Sequence, residues 1–244
     1  MKASRSDQLR LLDLQQIDTV IARTERSIAN PPQAAELSDL DDQLVQSDRT
    51  VLERLGAVDD LRTALVRVQD DTGVVEQRRD RNQQRLVAGA DAKTSQAIEH
   101  ENATLDRRRG ELEDQQLELM QQQEDAEEAL RAAREDAEAV RSRRDQLAAT
   151  RDAELEVLRT KLGERQRERE VLAVALPGDL VTLYDKQRAR YGFGATLLQG
   201  RMSVSAGVEL TASELAEVSR AAVDDVLMCP TSNAILVRSE ESGL

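Results

Sequence analysis

Apolar residues recur every seven positions through most of this chain. Leu37, Leu44, Val51, Val58 and Leu65 form one series, and Leu40, Leu61, Val68 and Val75 fill the complementary position three residues on. The repeat returns as Ile98, Leu105, Leu112, Leu119, Ala126, Ala133, Val140 and Leu147. A seven-residue period keeps one helical stripe facing a partner helix, so both stretches are predicted to line a coiled-coil seam. Segment 9–28 carries its own register through Leu14, Ile17, Ile21 and Ile28. Pro31-Pro32 interrupts the first arm, and the small, out-of-phase stretch Val87-Ala88-Gly89-Ala90-Asp91-Ala92-Lys93 separates the two runs. Arms of nearly equal length around one break predict an antiparallel hairpin within 1–176, reversing near 87–94, with residue i opposite residue 181 − i.

Beyond Pro177 the heptads stop. Residues 178–191 keep a short apolar face of Leu180, Leu183 and Tyr184, and Gly192-Phe193-Gly194 ends that helix. Met202, Val204, Ala206, Val208 and Leu210 alternate with small or polar residues, which predicts a strand. Thr211-Ala212-Ser213-Glu214 has the form of a capping box and predicts a helix carrying Leu215 and Val218. Two strands, 226–228 and 234–237, flank a turn at 229–233. The fold class expected is mainly α: a long antiparallel coiled-coil hairpin over 1–176, followed by a small α+β head over 177–244.

Composition sharpens this picture. Of 244 residues one in three is charged, and Tyr184, Tyr191 and Phe193 are the only aromatics, too few to shape a large globular core and its pocket. Net charge is −13, which argues against charge-driven binding to nucleic acid. The one Cys rules out an intramolecular disulfide, and the one His, His100, leaves no basis for His-based catalysis or a multi-His metal site. No stretch is apolar enough for a signal peptide or membrane span, so a cytoplasmic protein is expected. Phosphate-binding, dinucleotide-binding and nucleophile-elbow motifs are all missing.

Charge is unevenly spread. Residues 76–110 carry Arg78, Arg79, Arg81, Arg85, Lys93, Arg107, Arg108 and Arg109 against six carboxylates, an excess of cations in an acidic chain. These eight are the candidate interaction residues, a basic hairpin tip suited to an acidic protein surface or a phosphate backbone.

Several stretches carry a resemblance: GADAKTSQAIEHENATLDRRRGELEDQQLELM at 89–120, LLQGR at 197–201, ELTASELAEV at 209–218 and CPTSNAILVRSEESGL at 229–244. In these the chain resembles the bacterial family whose long coiled-coil hairpin carries a C-terminal four-cysteine zinc ribbon. The resemblance places the two metal knuckles at Ser203-Val204-Ser205-Ala206 and Cys229-Pro230-Thr231-Ser232. The vestigial ligand positions are then Ser203, Ala206, Cys229 and Ser232, with one thiol left of four. A closed structural zinc site needs four strong ligands, so a ribbon-like head with no metal and no cofactor is expected. Apolar packing of Val204, Val208, Met228 and Ile235, leaning on helix 179–190, is expected to take the metal's place.

The functional expectation is a non-enzymatic interaction or adaptor protein, presenting its basic tip and head to a protein partner. What the resemblance implies is similar, since relatives are linked to protein partners in transcription or flagellar regulation and in some cases to RNA. A nucleic-acid-binding regulator using the tip or the head is the second reading. Against it stand the overall charge, the lack of stacking aromatics on the hairpin and an acidic head. No membrane partner is expected, and pairing with a second copy of the chain stays open.

Overall fold

A computed structural model of the chain describes residues 1–205 and 207–243. Five helices and five short strands follow in the order α1 Arg5–Ala29, α2 Ala34–Val87, α3 Ala92–Val174, α4 Gly178–Tyr191, β1 Ala195–Gln199, β2 Met202–Ser203, β3 Val208–Glu209, α5 Ala212–Arg220, β4 Leu227–Met228 and β5 Ile235–Arg238, closed by a 3-10 turn at Glu240–Ser242.

Two compact units divide the chain. One comprises Gln33–Ala149 and the other combines Met1–Pro32 with Thr150–Leu244. The expected boundary at 176/177 is therefore not where the compact units part. The reason is packing: Leu11 and Leu14 of α1 are fully buried in one cluster with Leu176, Leu180, Tyr184, Ala195, Ile235 and Val237. The apolar face of α1 thus serves the head rather than extending the seam of α2.

The Gln33–Ala149 unit is the antiparallel pairing of α2 with the first part of α3. Its seam buries Leu37, Leu40, Val58, Leu65, Val68 and Val75 from α2 and Ile98, Leu112, Leu130 and Ala137 from α3. Reversal occurs between Val87 and Ala92. Gly89 takes the left-handed conformation there, and Asp91 opens α3 by accepting the Thr94 N–H at 2.8 Å. Cross-arm ion pairs fix the register. On one flank Arg78–Glu101, Arg108–Asp71 and Arg143–Glu36 join residue i to 179 − i. On the other, Arg79–Asp106 and Arg144–Asp41 follow 185 − i, and Arg62–Glu127 and Arg141–Asp48 follow 189 − i. The two flanks bracket the expected 181 − i.

In the second unit the sheet runs β3-β2-β1-β5-β4, antiparallel except for the central β1–β5 pair. Capping of α5 follows the expected box, with Thr211 Oγ1 accepting the Glu214 N–H and Glu214 accepting the Thr211 N–H at 2.7 Å. The single strand expected over 202–210 is instead two short strands, with Gly207 left-handed between them and β2 paired to both β1 and β3. Its alternating residues do not share one buried face: Met202 and Val204 are about half exposed, at 49% and 47%. The first strand of the sheet, β1, has no counterpart in the sequence reading. It is buried on both faces, so its residues show no alternation.

The start of the chain completes this unit. Ala3 donates its N–H to the Asp224 carbonyl at 2.9 Å, and Val226 donates to the Met1 carbonyl at 3.1 Å, which adds a short bridge beside β4. Arg238, at the end of β5, donates to the carbonyls of Val218, Ala221, Ala222 and Asp225 and so ties the end of α5 to the sheet.

Candidate interaction surface at the hairpin tip

The eight cations at the tip fall into two groups. Arg78 and Arg79 are held across the hairpin by Glu101 and Asp106, each at 2.7 Å. Arg108 reaches Glu111 at 3.3 Å and Asp71 at 4.0 Å, and Arg109 pairs with Glu113 at 3.1 Å. Arg78, Arg79 and Arg108 stitch the two helices, and Arg109 is paired within α3. Arg81, Arg85, Lys93 and Arg107 are exposed, and among the described residues no carboxylate lies within ion-pair distance of any of them. The free basic surface is therefore half the set read from the sequence. His100 is exposed beside it and contacts only through its backbone, where its carbonyl accepts the Thr104 hydroxyl at 3.2 Å.

A polar lock sits under this surface. Asn82 occupies the position seven residues after Val75, and is buried at 1% exposure. Its amide donates to Glu101 Oε2 and to Asn102 Oδ1, both at 3.0 Å. The Arg78 guanidinium and the Asn82 amide together hold the Glu101 carboxyl below the usual glutamate range, with the Arg85 charge adding to the effect. The sequence carried a signal for this lock, since Asn82 follows Leu61, Val68 and Val75 at the same seven-residue spacing.

Orientation follows from the inward residues. With Val75, Asn82 and Ile98 facing the seam and about 100° between successive residues, Val74, Arg78, Arg81 and Arg85 lie on the Glu101 flank. Lys93 lies on the outer part of that flank. Glu76, Glu99 and Asp106 lie on the opposite flank, with Arg79 and Arg109 committed to ion pairs there. The ion-pair-free cations of α2 thus share the Glu101 flank, where Glu101 and Asp71 are themselves paired with Arg78 and Arg108, while Glu76, Glu99 and Asp106 lie on the other side. Val74, in line with the free arginines, is 63% exposed.

The positions expected as metal knuckles form a hydroxyl–thiol network. Ser203 and Cys229 are fully buried, and the Cys229 thiol donates to Ser203 Oγ at 3.6 Å. Ser203 Oγ in turn lies 3.0 Å from Thr196 Oγ1, which also accepts the Ser205 N–H at 3.0 Å. Burial pushes the Cys229 thiol up, but hydrogen bonds from Ser232, Ser203 and Thr231 outweigh it and leave the thiol below its ordinary value. Ser232 Oγ is turned to the Ala234 N–H, 3.4 Å away. Ala206 lies outside the described residues. One thiol and two engaged hydroxyls do not make a zinc donor set, and no three His, Cys, Asp or Glu side chains converge among the described residues. The expected apolar replacement of the metal is only partly correct. Ile235 is buried, Val204 is exposed, and Thr196 and Ser203 supply polar closure over a cluster of Leu198, Leu210, Val218, Cys229 and Leu236.

A second buried polar cluster joins α1, α3, α4 and β1. Asp18 is 2% exposed and meets both Arg169 at 2.7 Å and Arg188 at 2.8 Å. Tyr184 donates its hydroxyl to Asp18 at 2.8 Å. Burial, together with the Asp18 charge, raises the Tyr184 hydroxyl far above its ordinary value and keeps it protonated. Gln15 Oε1 accepts the N–H groups of Gly194 at 2.8 Å and Ala195 at 3.3 Å. Arg169 also pairs with Asp185. A Cβ at Gly194 would overlap the Tyr184 ring, so the glycine permits the close approach. Every polar group in this cluster is engaged within the fold, as befits a structural joint.

Among the described residues no helix is long and apolar enough to cross a membrane. Residues 14–192 match the family described as the CT398-like coiled coil hairpin domain. Two uncharacterised proteins from strains of Mycobacterium tuberculosis are each 33% identical over 244 residues, covering 98% of this chain and 98% of their own. Among solved structures, a Mycobacterium smegmatis protein superposes with a TM-score of 0.87 at 32% identity, covering 98% of this chain and 100% of that one. CT398 from Chlamydia trachomatis gives 0.66 at 15% identity over 96% and 98% of the two chains, a likeness of fold.

Proposed function

This chain belongs to the family of CT398-like coiled-coil hairpin proteins, and from that premise we propose that it is a non-enzymatic interaction protein, engaging a protein partner through the basic tip of its hairpin. The observation that carries the reading is the set of four exposed cations, Arg81, Arg85, Lys93 and Arg107, left without carboxylate partners in a chain of net charge −13. Elsewhere on the hairpin Arg62, Arg141, Arg143 and Arg144 are spent on cross-arm pairs, while Arg54, Arg67, Arg131 and Arg134 are exposed without one among the described residues; what sets the tip apart is its local excess of cations, eight against six carboxylates over 76–110. Unpaired guanidinium groups concentrated at one place supply long-range attraction and bidentate hydrogen bonding for an anionic surface. The polar groups buried beneath the tip and in the head are occupied with one another, which suits scaffolding rather than chemistry. The head is a second surface offered to partners under the same reading.

The test is site-specific photo-crosslinking in cells, with the reactive residue placed at position 88 in the closing turn, or at positions 45 and 157 on exposed helical faces. The expected result is a protein adduct from position 88 that is lost when Arg81 and Arg85 are changed to glutamate. Adducts arising only from positions 45 or 157, or a nuclease-sensitive adduct at 88, would replace this reading with another.

A further inference from the structure

We infer that the Glu101 flank of the hairpin tip is the docking face, and that its occupant is an acidic amphipathic helix of a protein partner; the inference rests on the function proposed above. Val74, Arg78, Arg81 and Arg85 follow one another at spacings of four, three and four residues, so they form a single line along α2. That line spans about 16 Å at 1.5 Å per residue, roughly three helical turns. It is the length over which a docked helix would present carboxylates at positions i, i+3 or i+4, and i+7. Arg78 is half committed to Glu101, while Arg81 and Arg85 make no ion pair; Arg81 Nε donates to the Gln77 carbonyl at 3.3 Å, which leaves its two terminal nitrogens to bind a carboxylate bidentately. Lys93 extends the positive field from the start of α3.

Two further features select a protein helix over a phosphate backbone. The first is Val74: exposed at 63%, it offers an apolar anchor one turn from the nearest arginine. Helix-in-groove recognition uses such apolar contacts, and a sugar–phosphate chain has no equivalent group to fill them. The second is the segregation of charge. Glu76, Glu99 and Asp106 lie on the far flank, and Glu101 within the strip is tied to Arg78 and Asn82, so the cationic strip is one helix wide. A single helix about 10 Å across lies along that strip alone, whereas a nucleic-acid duplex, about twice as broad, would bring phosphates over the carboxylates. No aromatic residue lies in 76–110 to stack a base of a single strand.

The experiment uses the full-length protein in cells with benzoylphenylalanine at position 74 or at position 76, one on each flank. The expected result is an adduct at least tenfold stronger from position 74. Peptide mapping of that adduct should locate a partner segment with carboxylates at i, i+4 spacing and an apolar residue beside them. Arg81→Glu with Arg85→Glu should remove the adduct while the helical circular dichroism is unchanged. Reversing the mapped partner carboxylates to lysine should restore it. Adducts from position 76 alone, a mapped segment without paired carboxylates, a nucleotide adduct, or failure of the charge swap would each overturn the inference. An adduct at 88 with none at 74 would leave the tip as an interaction site and sink only the acidic-helix assignment. Adducts at neither position would defeat both.

Discussion

Asn82 and Asn102 meet across the hairpin, amide to carbonyl oxygen at 3.0 Å, at a seam position where the repeat otherwise places valine. A buried amide in an apolar seam costs stability but is satisfied in only one alignment of the two helices, because sliding by a turn would leave it unpaired. The lock lies within six residues of the end of α2, where it sets register from the closing turn outward.

Replacing Asn82 with leucine is expected to raise the melting temperature of the hairpin while loosening its register. Spin labels at positions 69 and 116 would read this as a broadened distance distribution beside a higher thermal midpoint. A narrow, unchanged distribution would assign the register to the ion pairs alone.

Acid should loosen the tip before the rest of the hairpin. Glu101 is held below the ordinary glutamate value of 4.5 by Arg78 and Asn82. Its contribution is therefore complete above that value and is lost as pH falls through the lower folded value. Amide exchange of residues 78–86 should accelerate in that window, and Glu101→Gln should abolish the pH dependence. Exchange insensitive to pH in the wild-type protein would contradict the assignment.

For the head, the hydroxyl–thiol network predicts folding that is indifferent to metal. Melting should be unchanged by a chelator, and elemental analysis should find no stoichiometric zinc. Thr196→Val, which strips the partner from the buried Ser203 hydroxyl and the Ser205 N–H, should destabilise the head by about 1–3 kcal/mol. Chelator-sensitive melting would mean that thiolate and hydroxyls do bind a metal.

At the joint, Asp18 opposes two guanidinium groups with its side chain almost wholly buried. Asp18→Ala leaves Arg188 without its carboxylate and Arg169 with Asp185 alone, and is expected to cost about 3 kcal/mol. Tyr184→Phe removes one hydrogen bond and should cost about 1 kcal/mol. Chemical denaturation followed by the Tyr191 environment would rank the two, and equal losses would mean that packing of the ring dominates.

The hairpin was legible because its information is periodic. Every seventh residue from Leu37 to Leu65 repeats one instruction, and even the register came within a few residues of that fixed by Arg78–Glu101 and Arg79–Asp106. The capping box at Thr211 was equally direct, since its reciprocal bonds are local. What escaped notice depends on partners remote in sequence. Leu11 and Leu14 announce an apolar helical face but not that Ile235 and Val237 cover it. Strand β1 lacks alternation because both faces are buried. At the tip, composition revealed the eight cations, but only geometry separated the four held in ion pairs from the four without one.

The bonding of Gln15 to Gly194 spans 179 residues, and the Lys2–Asp224 pair spans 222. During synthesis, therefore, α1 leaves the ribosome long before any strand of the head exists. At about 5–20 residues per second, α1 waits on the order of ten seconds or more with Leu11, Leu14, Ile17 and Ile21 uncovered. The hairpin over 33–149 has every contact of its seam in hand before the first strand of the head is made. Birth order thus leaves Leu11 and Leu14 of the first helix as an apolar face on the nascent chain until β5 emerges to cover it.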